Sequence, residues 1–211
     1  MNKTVFALAL ALTFGGGAAV QAEQAAATPA HTMNASAMNW FGGVTYNGAP
    51  ALNVTAALVE AGGGASNFNF ATALVSMLGQ DTVNAEVAKL TKQYGKTATD
   101  NFIAGMTFAV NDGLKRATEA GVKLPAAPAD LKGAKLASTL VTAGTTADGT
   151  WWSGYLFDKA LSHGIHVQVM QDIDAKLGHG ADENTHKILN QAMYDVAQAL
   201  KVKGVKLAPL H

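Results

Sequence analysis

The chain has 211 residues, 49% hydrophobic and only 14% charged, with 15 basic side chains balancing 15 acidic ones and no cysteine. This is enough apolar material for one medium domain or two small ones. Zero net charge excludes the electrostatic footprint of a nucleic-acid binder. The lack of thiols excludes disulfides, thiolate zinc or iron–sulfur centres and a lipid anchor on an N-terminal cysteine.

Residues 1–22 read as a signal peptide. Lys3 supplies the positive charge, Val5–Phe14 the apolar segment, Gly15–Gly17 the break, and Val20-Gln21-Ala22 the small residues of a cleavage site. The expectation is export, cleavage after Ala22, and a mature protein in the periplasm or beyond it. The apolar run is about half the ~20 residues a membrane span needs, and no later segment is long and apolar enough to be one. Residues 23–45 form an Ala-rich leader, low in complexity and without apolar periodicity until Trp40. Trp40–Tyr46 reads as a short extended piece that docks on the core.

From Pro50 onward, helical runs are repeatedly stopped by glycine. The runs 51–61, 68–78, 82–94, 100–120, 131–143, 152–177 and 184–203 end at Gly62, Gly79, Gly95, Gly121, Gly144, Gly178 and Gly204. Asp81, Thr99, Asp130 and Asp182 are candidate N-caps. Phe102, Met106, Ala109 and Gly113 form one stripe at helical spacing, and Leu189, Met193, Val196 and Leu200 another. No segment keeps a period of two. The fold expected is therefore all-α, with seven to eight helices. Gly164 is a candidate kink, and the second half reads as fusing its middle two helices.

An internal repeat organises these runs. Val54–Gly62 resembles Leu136–Gly144 at an offset of 82, and Asn67–Gly95 matches Thr150–Gly178 at an offset of 83. Ala109–Asp112 aligns with Ala192–Asp195, and Gly121-Val122-Lys123-Leu124 recurs as Gly204-Val205-Lys206-Leu207. The reading is two tandem related halves, 46–125 and 126–211, joined through the proline-containing stretch Leu124–Leu131. Each is small for an independent core, so the two are expected to pack as one domain.

Histidines are unevenly placed. The first half has none, whereas the second has His163, His166, His179, His186 and the terminal His211; His31 is in the leader. The first-half counterparts of the middle four are Gln80, Val83, Lys96 and Ile103. His163 and His166 lie three apart on one helical face, and His186 lies on the core stripe of the next helix. Together they are candidate ligands for a transition metal, with Met170 and Tyr194 as further cofactor-binding candidates and Asp158, Asp172 and Asp174 in support. A side-by-side hairpin of the last two helices would set His186 level with Asp172–Asp174, away from His163 and His166, favouring two half-sites. A haem reading uses the same histidines with Met170, and ranks below metal. Core histidines hydrogen-bonded to Tyr194, Asp195 or backbone are the structural alternative.

Other motifs carry less. Asp172–Glu183 has Leu177 where a calcium loop needs glycine. Gly62–Ser66 lacks the Lys-Ser/Thr of a phosphate loop, and no hydrolase signature occurs. Asp112 and Asp195, at matching places, read as structural carboxylates. Trp151, Trp152 and Tyr155 read as interface core, with the lip of an apolar ligand pocket as a minority reading. The functional expectation is an exported, non-enzymatic binding or structural protein of the cell envelope, taking a small ligand or an envelope protein as partner. The alternative is a metal- or haem-binding protein.

Overall fold

Glycine sets the rhythm of the helices because it closes a helix in a conformation that other residues avoid. In the computed structural model, Phe70–Leu78 (α2) stops at Gly79, and Gln80–Tyr94 (α3) starts on the next residue and stops at Gly95. Both glycines have φ near +87°. The structure describes residues 45–46, 49–119, 121–154, 156 and 163–207. The signal-peptide and leader assignments, apart from Thr45, and the carboxylate of Asp158 lie outside these.

Seven helices occur among the described residues. Besides α2 and α3 they are Ala51–Ala61 (α1), Lys96–Glu119 (α4), Gly133–Gly144 (α5), His163–Leu177 (α6) and Ala181–Val202 (α7). The extended piece at the start of the fold is a two-residue ladder. Thr45–Tyr46 (β1) pairs antiparallel with Ala49–Pro50 (β2), and β1 packs against α5 and α1. The stops at Gly79, Gly95 and Gly178 hold, α5 instead includes Gly144 and is capped by Thr145, and the expected N-caps do not hold. Asp81 and Thr99 fall inside the first turns of α3 and α4, because these helices begin directly after Gly79 and Gly95. Asp130 lies upstream of the cap residue Lys132, and Asp182 follows the cap residue Gly180. The side-chain cap observed on α2 is Asn69, whose Oδ1 accepts from the Thr72 amide at 3.0 Å. Gly164 lies within α6.

The long helix α4 is at the centre. Its buried face, Phe102, Gly105, Met106, Ala109, Gly113 and Ala117, packs on α7. A methyl group at Gly105 would lie 2.9 Å from Thr185 Oγ1, so the missing side chain sets how closely the two helices approach. α6 packs on α4 as well as on α7, and reciprocally α3 packs on α7 as well as on α4. α5 lies against α7, α2 and α1. One continuous core results, with Leu90, Leu136, Ile173, Ile188 and Leu200 fully enclosed. Burying such aliphatic side chains contributes about 1.5–3 kcal/mol each before the entropy cost.

Two pairs of segments share local features. α3 and α6 both contain 15 residues, and their starts, Gln80 and His163, lie 83 apart. Gly62 and Gly144 are each covered by a later aromatic ring, Phe68 in one case and Trp151 in the other. Gly62 O accepts from the Asn69 amide at 2.9 Å, and Gly144 O from the Trp152 amide at 3.0 Å. The expectation of a shared aromatic core holds for Trp151, which is buried. Trp152 is 51% exposed, because its ring lies over Gly154 on the outside.

Candidate functional site

A polar chain of three side chains enters the interior of the second half. Ser153 is helical, two residues after Trp151, and its amide donates to Asn190 Oδ1 on α7 at 2.8 Å. Ser153 Oγ lies 2.7 Å from His186 Nδ1. His186 Nε2 lies 3.2 Å from His166 Nε2 on α6. The rings are 5.2 Å apart at 71°, an edge-on contact. Ser153 is fully buried, His166 is 9% exposed and His186 half-buried. Each ring nitrogen of a neutral imidazole either donates or accepts. The two Nε2 atoms are within hydrogen-bonding distance, with the roles set by the tautomers. Ser153 holds the other nitrogen of His186, which couples its tautomer to that of His166.

The structure thus brings His166 and His186 together, against the half-site arrangement that a side-by-side hairpin implied. α7 lies chiefly along α4, and α6 is shared between α4 and α7, so the level-for-level register of a hairpin does not apply. Each imidazole also carries its Nε2 well away from its own backbone. Two facing rings therefore bridge an offset along the helices.

The other candidates are placed as follows. His163 begins α6, and its side chain lies outside the described residues. Met170 is 6% exposed and belongs to the core. Tyr194 is 39% exposed, on the outer side of α7. Asp172 accepts from Arg116 Nη2 at 2.6 Å. Asp174 accepts from the amides of Gly180 and Asp182 at 3.2 and 2.9 Å, capping the start of α7, and these hydrogen bonds hold its carboxyl below the usual range. His179 Nδ1 lies 3.6 Å from the same carboxylate. Among the described residues no group of three or more His, Asp or Glu side chains has metal-binding geometry.

Ser153 and Asn190 complete the site, and histidine spacing alone did not point to them. The signal available was their alignment with Phe70 and Thr107 at the repeat offset. In the first half the Phe70 amide donates to Thr107 Oγ1 at 3.1 Å, as the Ser153 amide donates to Asn190.

Between α2, α3, α4 and α7 lies a cleft of about 30 Å³ bordered by Phe70, Val83, Phe102, Ile103 and Met193, room for about one water. Glu86 also reaches it, and its Oε1 is buried without a hydrogen-bond partner. Burial first, and then the neighbouring Asp195 carboxylate, push the Glu86 carboxyl up to about 7. Burial also works to raise Asp195, but hydrogen bonds from Lys89, Gln191 and Glu86 outweigh it and hold that carboxyl below its ordinary value. Phe70, Val83 and Ile103 stand 83 positions before Ser153, His166 and His186 in the sequence.

No family model, no curated protein and no solved structure matches the chain. Among the described residues no helix is long and apolar enough to cross a membrane.

Proposed function

We propose that this is an exported, non-enzymatic binding protein of the cell envelope, descended from a duplicated helical unit, with its ligand site in the second half. The observation that carries the binding role is the Ser153–His186–His166 chain, standing where the first half has Phe70, Ile103 and Val83. A protein that served only as a scaffold gains little from this exchange. Replacing a hydrogen-bonded polar pair by apolar groups of similar shape is close to neutral in stability.

Three features support the duplication. The boundaries of α3 and α6 keep the same offset at both ends, Gln80 with His163 and Tyr94 with Leu177. Gly62–Phe68 and Gly144–Trp151 make the same glycine–aromatic contact. The hydrogen bonds Thr107–Phe70 and Asn190–Ser153 link matching positions. The reciprocal packing of α6 on α4 and α3 on α7 agrees with an approximate two-fold relation. Lys3, the apolar stretch that follows and Ala22 support export. The non-enzymatic reading rests on the full burial of Ser153, whose hydroxyl is turned to His186 rather than to solvent.

The paired exchange His166→Val with His186→Ile, using the first-half residues, tests this reading. Each single change sets the remaining Nε2 against an apolar side chain and should cost about 1–3 kcal/mol in urea unfolding. The double variant should return to within about 1 kcal/mol of wild type. Native mass spectrometry of protein recovered from the envelope should find a ligand on wild type and none on the double variant. A double variant as unstable as the sum of the singles, with no ligand on wild type, would make the pair structural. Cell fractionation and N-terminal sequencing of the mature chain test export, with Glu23 as the expected first residue.

A further inference from the structure

We infer that the second-half site binds a single divalent transition-metal ion through His166 Nε2 and His186 Nε2, with Ser153 as the positioning residue; this rests on the binding role proposed above. The two nitrogens face each other at 3.2 Å across an edge-on ring contact. Two imidazole nitrogens, each about 2.0–2.1 Å from a tetrahedral zinc ion, stand about 3.3–3.4 Å apart. The separation already present is therefore close to what the ion needs, and binding requires little backbone movement.

The remaining geometry follows the usual support of such ligands. A metal-bound imidazole commonly donates its second N–H to an oxygen, which fixes tautomer and ring plane. His186 has that oxygen in Ser153 Oγ, 2.7 Å from Nδ1. Ser153 is itself held by the Asn190 side chain through its amide. With Nδ1–H of His186 given to Ser153, its Nε2 lone pair points at His166. For His166 to ligate as well, its ring proton moves to Nδ1 and both imidazoles stay neutral. Imidazole nitrogen suits zinc, copper, nickel and iron rather than magnesium or calcium. Two protein ligands leave two of four tetrahedral positions for water or a small ligand, one more than in a three-ligand open site.

The test uses the mature chain, stripped with chelator and titrated with Zn²⁺, Ni²⁺ or Cu²⁺ by calorimetry. Proton–nitrogen correlation spectra resolve the imidazole nitrogens. One equivalent of metal should bind, with the Nε2 resonances of His166 and His186 shifting and their Nδ1 resonances moving less. His166→Val and His186→Ile should each weaken binding at least tenfold with helicity unchanged. Ser153→Ala should weaken it less and broaden the His186 signals. Because the spectra are read on wild type, a variant that fails to fold leaves the test intact. Resonances of these two rings unmoved by saturating metal, or binding equally strong in the double variant, would overturn the inference. An organic ligand recovered from the envelope without metal would overturn it too, while leaving the binding role in place. Metal silence with no ligand of any kind would remove both.

Discussion

Gly144 marks the end of α5 at a residue where size, not backbone angle, excludes a side chain. A methyl group there would lie 2.3 Å from the Trp151 indole, and one at Gly62 would lie 2.3 Å from the Phe68 ring. Both rings are nearly fully buried and have no free direction to move. Gly144→Ala and Gly62→Ala should therefore each cost about 1–3 kcal/mol in chemical denaturation, as overpacked cores do. Unchanged midpoints would show that the rings yield. Glu86 is a second residue whose surroundings decide its behaviour. Its folded carboxyl is raised from 4.5 to about 7, so the folded chain holds that proton more tightly than the unfolded chain. The stability this confers is fully present below about pH 4.5 and is lost as pH rises through about 7. Glu86→Gln should be more stable than wild type at about pH 8, by on the order of 1 kcal/mol after discounting for its half-exposed position. The difference should shrink toward about pH 5; thermal melts across that range check the sign.

Helices in this protein are joined by charge as well as by apolar contact. Where α3 meets α7, Lys89 pairs directly with Asp195. Where α4 meets α6, Asp112 and Asp172 bring two like charges together. Arg116 stands between them, 2.7 Å from Asp112 and 2.6 Å from Asp172, and also donates to Gln168. Arg116→Ala should thus cost about 1 kcal/mol, more at low salt, since it removes two ion pairs and the bond to Gln168 and leaves the carboxylates facing each other. Adding Asp172→Lys should recover most of the loss by recreating the Lys–Asp arrangement of the other junction. A double-mutant cycle measures the coupling, and additive losses would contradict it. The element scale is also where reading from sequence did best. Glycine stops at Gly79, Gly95 and Gly178 follow from backbone chemistry that acts locally. The helix starts were less legible, because α3 and α4 begin on the residue after a glycine without a side-chain cap.

At the scale of the whole molecule, α4 and α7 share one interior, and the two halves line it differently. Asp112 and Asp195 are structural carboxylates, as their matching places suggested, with Arg116 and Lys89 as partners. The histidine candidates were legible as residue types at helical spacing, and the pairing of His166 with His186 was not. Their meeting depends on how α6 is shared between α4 and α7, and helical period carries no information on that. The role of Ser153 was not legible for the same reason: it comes from a contact with His186, 33 residues along the chain.

The sequence by itself determined the helical class, the glycine stops at Gly79, Gly95 and Gly178, and the absence of histidine between His31 and His163. These are properties of residue chemistry acting over a few neighbouring positions, or of plain comparison along the chain. The tertiary structure alone decided which faces meet: Arg116 between two carboxylates, Glu86 beside Asp195, and two imidazoles at 3.2 Å. Close packing of crossing helices sets those distances, and no local pattern encodes a crossing.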